Sequence, residues 1–125
     1  MYEIGVVAQF EAAHRLSGAF GPATRTHGHT YRLDVVVRGE RLAADGTLYD
    51  IGRLREVVDA LVATLHYRDL DTVEGLAGAN TTAEAVARHC WEALAAGLQD
   101  DRLSSLLVRV WESPQVYAAR DEALV

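Results

Sequence analysis

The sequence predicts an α+β domain, on three observations. Residues 29–39 alternate apolar and polar side chains with the period of a half-buried strand. Residues 52–66 switch to the period of an amphipathic helix. Segments of these two kinds follow one another as β-β-α-α-β-β, with no repeat and no low-complexity stretch. Two helices on one face of an antiparallel sheet satisfy that order. The chain of 125 residues suits one domain, residues 1–125, large enough for a real core.

Residues 2–14 read as the first strand. Ser17 to Thr26 holds two glycines and a proline, so it reads as a loop. In the second strand Tyr31, Leu33, Val35 and Val37 share a face, opposed by Thr30, Arg32, Asp34, Val36 and Arg38. Asp45-Gly46 marks a turn, and Asp50 is placed to cap the helix beginning near Gly52. That helix carries Leu54, Val57, Val58, Leu61, Val62 and Leu65 on its apolar stripe. Gly75 to Asn80 is a linker. Thr81 and Glu84 have capping-box spacing, which makes Thr81 the expected N-cap of a second helix reaching about residue 98. Cys90 lies in the apolar stripe of that helix and reads as core; His89 lies off it and reads as solvated. Residues 105–112 and 115–120 alternate as two last strands, broken by Pro114. A four-stranded sheet has two open edges, so pairing between subunits is expected.

Composition narrows the partners. Half the residues are hydrophobic, which argues against disorder. The net charge of −6 and the lack of a basic run argue against nucleic acid or an anionic membrane surface. No leader pattern opens the chain and no apolar stretch reaches membrane length. One cysteine, Cys90, leaves no intramolecular disulfide and fits the cytoplasm.

The chemistry concentrates in Phe10-Glu11-Ala12-Ala13-His14 and His27-Gly28-His29-Thr30-Tyr31. Imidazoles at i and i+2 on a strand point to the same face. With His14 from the neighbouring strand they would make a three-nitrogen site, and three ligands plus an open position describe a catalytic zinc. The same residues also fit a surface histidine pair and an ordinary buried histidine.

These phrases, with three more, resemble the 6-pyruvoyl-tetrahydropterin synthase and 6-carboxytetrahydropterin synthase family. The three are Gly46-Thr47-Leu48-Tyr49-Asp50-Ile51-Gly52-Arg53-Leu54 before the first helix, Thr82-Ala83-Glu84 before the second, and Trp111-Glu112-Ser113-Pro114 near the end. The resemblance covers nearly the whole chain. It implies the tunnelling fold, zinc on His14, His27 and His29, and Glu112 as the anchor of a pterin ring. It also implies trimers or hexamers with sites at subunit interfaces.

Departures from the family pattern matter as much. The loop Ser17–Thr26 holds neither the family's catalytic cysteine nor a glutamate in its place; Ala23 stands four residues before His27. The family's Leu-Asp-His-x-x-Leu-Asn phrase is Leu65-His66-Tyr67-Arg68-Asp69-Leu70-Asp71 here. His66 therefore stands at the aspartate position and Tyr67 at the histidine position. Both become candidate proton-transfer residues, although a histidine ending a helix also suits the helix dipole. Asp69 and Asp71 are possible partners in that transfer, although the plainer reading of both is a solvated loop. Arg25 is a candidate for holding a phosphate or carboxylate.

Three functions stay open. One is a repurposed zinc-dependent lyase that cleaves, eliminates or cyclises a hydroxy-ketone or pterin-like substrate through a metal-stabilised enediolate. Another is an orthodox synthase acting on dihydroneopterin triphosphate. The last is a zinc-containing pterin-binding protein without catalysis.

Overall fold

In the computed structural model, which describes residues 1–124, alternation along β1 (Tyr2–His14) places Ile4, Val6, Ala8, Phe10, Ala12 and His14 on one face. β1 pairs antiparallel with β2 (His27–Gly39), running from Tyr2 opposite Gly39 to His14 opposite His27. β2 starts two residues earlier than the alternation suggests, so both histidines of His27-Gly28-His29 belong to it.

Helix α1 (Ile51–Leu65) starts at Asp50, whose carboxylate accepts from the Gly52 and Arg53 amides. A two-residue strand, β3 (Arg68–Asp69), follows and runs parallel to β1 at Ala12 and Ala13. It is a fifth strand that no periodicity could reveal. Helix α2 (Ala83–Gly97) leads into β4 (Ser105–Ser113) and β5 (Val116–Ala123). The sheet order is β3-β1-β2-β4-β5, and all pairings except β1-β3 are antiparallel.

Both helices cover the same face. Leu54, Val58, Leu61 and Leu65 of α1 and Val86, Ala87, Cys90 and Leu94 of α2 are buried against Tyr31, Leu33, Val35, Val37, Leu106, Val108 and Val110. Each large apolar side chain fully buried there contributes roughly 1.5–3 kcal/mol. Trp91 seats α2 by donating its indole N–H to the Leu106 carbonyl at 2.8 Å. Burial pushes the Cys90 thiol up to about 12, so it is a core residue without thiolate character.

The α2 start corrects the capping-box reading. Thr82, not Thr81, is the N-cap, its hydroxyl accepting from the Ala85 amide at 3.2 Å. Thr81 is fully buried and turned toward the end of β1, where both its oxygens are engaged. His89 is likewise not solvated: it is half-buried beneath Gly75, which crosses α2 with φ +91°. A side chain at Gly75 would meet the imidazole at 3.0 Å.

On the helix-free face, the carboxylate of Asp34 is buried and holds the Trp111 indole at 2.8 Å and Arg32 at 2.8 Å. Those bonds, with Arg109, hold its carboxyl below the ordinary range although burial acts the other way. Among the described residues no helix is long and apolar enough to cross a membrane.

Gly39 is the tightest backbone approach. A Cβ there would collide with the Arg102 carbonyl oxygen and lie 2.7 Å from Leu48 Cδ1. Gly39→Ala should therefore cost roughly 1–3 kcal/mol, read as a lower urea midpoint at unchanged slope.

Candidate metal centre

The strand register builds the site. Because His14 faces His27 and Ala12 faces His29, the three imidazoles converge on the helix-side face at one end of the sheet. Ring centroids lie 4.5 Å apart for His14–His27, 5.1 Å for His14–His29 and 4.8 Å for His27–His29. One ligand nitrogen from each lies within 4.8 Å of the others.

Two of the rings have a fixed tautomer. His14 Nδ1 is 2.7 Å from the Thr81 carbonyl oxygen, and His27 Nδ1 is 2.7 Å from that of Arg25. A carbonyl only accepts, so Nδ1 carries the hydrogen and Nε2 keeps the lone pair. This is the outer-shell arrangement that orients histidine ligands. His14 Nε2 and His29 Nε2 are 3.1 Å apart. A tetrahedral zinc with bonds near 2.0–2.1 Å separates its nitrogens by about 3.3 Å, so the pair fits such an ion with little movement. Burial lowers the pKa of His29, with Glu112 opposing and the other two histidines adding to the shift. A neutral imidazole is the form a metal requires.

Glu112 joins the cluster through an irregularity in β4. Trp111 pairs with Tyr117 and Ser113 with Val116, which leaves Glu112 unpaired in a bulge. Its Oε2 lies 3.4 Å from His29 Nε2 and 3.6 Å from His14 Nε2, with the side chain about a quarter exposed.

The other candidates are placed differently. Arg25 contributes its carbonyl to His27, while its exposed guanidinium pairs with no carboxylate among the described residues. His66 caps α1, and its Nδ1 accepts the Glu11 amide at 3.0 Å. The next amide, from Tyr67, donates to the Glu11 carbonyl at 2.6 Å. Side chain and backbone together thus imitate one more strand pair on the edge of β1. Tyr67 has φ 57°, a left-handed conformation unfavourable for a bulky residue, and is 79 % exposed with its ring on that of His66. Neither residue belongs to the histidine cluster, although Tyr67 and His29 line one cleft of about 370 Å³ with Glu11 and Asp69.

Two residues extend the site beyond the sequence reading. Asp71 is no solvated loop residue: it accepts from the Arg15 amide and the Thr81 hydroxyl. Tyr31 follows His27 and His29 along the same face, with its ring 5.3 Å from that of His29. Its hydroxyl is buried without a partner among the described residues, and burial, then the Glu112 and Asp71 charges, raises its pKa. The spacing His-x-His-x-Tyr was the available signal for it.

The family model described as 6-pyruvoyl tetrahydropterin synthase matches residues 3–123. The chain belongs to that family. A 6-carboxy-5,6,7,8-tetrahydropterin synthase of Haemophilus influenzae is 27 % identical over 98 % of this chain and 100 % of its own length. A dihydroneopterin monophosphate aldolase of Pyrococcus furiosus is 34 % identical over 75 % of each chain. Among solved structures, the 6-pyruvoyl tetrahydropterin synthase of Caenorhabditis elegans superposes with a TM-score of 0.85 at 27 % identity, over 97 % of this chain and 95 % of that one. The single domain of two helices on a five-stranded sheet is thus the family's tunnelling fold.

His29 and His89 both have pKa values lowered by burial from 6.5. The unfolded chain therefore binds protons more readily, and the stability these groups contribute is whole above pH 6.5 and lost as pH falls through their folded values. Urea midpoints of metal-free protein should fall between about pH 7 and about pH 5, and His89→Gln should flatten part of that fall.

Proposed function

We propose that this chain is a zinc-dependent lyase that breaks a carbon–carbon bond in the hydroxylated side chain of a pterin or a similar ring. The observation that carries the reading is three convergent imidazoles and Glu112 beside a loop, residues 15–26, that offers no thiol. The Pyrococcus furiosus relative, named an aldolase, supports cleavage in place of the thiol-dependent proton transfers implied for the orthodox synthases. The cofactor is zinc, held by His14, His27 and His29.

When bound, zinc would supply Lewis-acid polarisation of substrate oxygens, making a side-chain hydroxyl easier to deprotonate. The chain's residues do the rest. A base removes the proton of the hydroxyl on the second side-chain carbon. The bond between the first and second carbons breaks, its electrons pass to the ring imine, and the second carbon leaves as an aldehyde. A proton then returns to the first carbon. Glu112 accepts paired N–H donors from the ring, as a two-oxygen acceptor can. Tyr67 is the proton-transfer residue. His66, its Nδ1 lone pair committed to Glu11, acts by holding Tyr67 in place and has only its Nε2–H to give. Arg25 is free to meet a phosphate on the leaving fragment.

The reading includes a cytoplasmic homo-oligomer, trimeric or hexameric, with sites at subunit interfaces. Beyond Ala12 and Ala13 no strand among the described residues lies beside the outer edge of β1, and the exposed Tyr67 ring stands at that same edge. A partner subunit paired there would receive Tyr67 near its own histidines.

The test is to incubate zinc-loaded protein with dihydroneopterin monophosphate and triphosphate and to identify products by mass spectrometry. A 6-hydroxymethyl pterin with a two-carbon phosphorylated aldehyde is expected. A 6-carboxy or 6-pyruvoyl product would establish the orthodox synthase, and unchanged but tightly bound substrate a binding protein. Tyr67→Phe should lower kcat by about 10²–10⁴-fold with little change in ligand affinity.

A further inference from the structure

One hydrogen-bonded chain behind the histidines has no role in the chemistry above. Asp71 Oδ2 accepts the Arg15 amide at 3.0 Å, and Asp71 Oδ1 accepts the Thr81 hydroxyl at 2.9 Å. The Thr81 carbonyl takes the His14 Nδ1 hydrogen at 2.7 Å, and the Thr81 hydroxyl oxygen lies 3.3 Å from that same nitrogen. His14 is 1 % exposed and Thr81 0 %, so water does not compete for these bonds. Asp71 is itself held, its amide donating to Asp69 Oδ1 at 3.0 Å.

We propose that Asp71 is the outer positioning residue of the metal centre, acting on His14 through Thr81 and through the backbone at Arg15. The inference rests on the zinc reading but concerns how the site is built, not what it converts. His14 is gripped at two points. Its ring cannot rotate without giving up the Thr81 carbonyl, and the chain after it cannot shift without giving up the Asp71 carboxylate. The carboxylate also polarises the Thr81 hydroxyl, so negative potential reaches the Nδ1 side of His14 and makes Nε2 a stronger donor to a cation.

The displaced N-cap now has a reason. Thr81 has capping-box spacing, yet its hydroxyl serves Asp71 while Thr82 caps the helix. One threonine stabilises α2 and its neighbour connects the start of α2 to the metal centre.

The experiment compares Asp71→Asn, Thr81→Val, Thr81→Ser and the double variant Asp71→Asn/Thr81→Val. Zinc affinity is read by competition with a chromogenic chelator. In metal-free protein, the His14 tautomer is read by ¹⁵N NMR and the Arg15 amide by hydrogen exchange. Asp71→Asn and Thr81→Val should each weaken zinc binding by about 10–100-fold, while Thr81→Ser, which keeps the hydroxyl, stays near the parent. The double variant should be no worse than the weaker single one, because both cut one chain. Unchanged affinity in folded Asp71→Asn, or losses that multiply in the double variant, would overturn the proposal. If the parent protein binds no zinc, the metal reading fails separately. The proposal then stands on faster Arg15 exchange and a mixed His14 tautomer in Asp71→Asn, and falls if neither changes.

Discussion

The register between β1 and β2 is the constraint on which the rest depends. Thirteen consecutive pairs run from Tyr2–Gly39 to His14–His27 without a bulge. A slip by one residue would turn either Phe10 and His14 of β1 or Tyr31, His27 and His29 of β2 away from the helices, and the three imidazoles would no longer share a face. The core and the candidate metal centre are therefore specified by the same alternation. The stacked Phe10 and Tyr31 rings, 4.9 Å apart, form the last apolar layer before the imidazoles begin. Packing from that layer fixes the rings to a degree that a loop-borne site would not reach.

The site has a rigid half and an edge half. His14, His27, His29 and Glu112 stand on long central strands and are aimed by register, a bulge and two carbonyls. His66 and Tyr67 stand where α1 ends against the outer edge of β1, held by bonds to one residue, Glu11. The half that could hold a metal is the half in which the resemblance finds the family's phrases. The half proposed to move protons is the half that departs from the phrase the resemblance implies, and it can differ without disturbing the core because few buried contacts depend on it.

Long periodic elements were readable from the sequence because periodicity reports burial directly. The strand at 2–14 and the stripe Leu54, Val58, Leu61 and Leu65 lie where the alternation and the helical spacing put them. The histidine cluster was readable as a possibility from i, i+2 geometry, and five short phrases in order made it a family trait. What escaped depends on contacts distant in sequence. β3 is two residues long and exists by pairing with Ala12 and Ala13. Thr81 satisfies the local spacing of a cap, but two partners at the end of β1 and in the segment after β3 outweigh that role. Asp71 looked like any loop acid, because nothing local to it announces Arg15 or Thr81 as its partners. His89 looked solvated because the loop that covers it begins fourteen residues earlier, at Gly75.

Cys90 carries a consequence for the conditions this protein tolerates. It is the chain's one sulfhydryl, sealed under α2 with its ionisation suppressed by burial. Peroxide and alkylating electrophiles attack thiolates, and this fold presents none. An enzyme that relies on an exposed nucleophilic sulfur is silenced by peroxide until the sulfur is reduced again, and by alkylation permanently. The proposed site of imidazole, phenol and carboxylate would lack that vulnerability to thiol reagents.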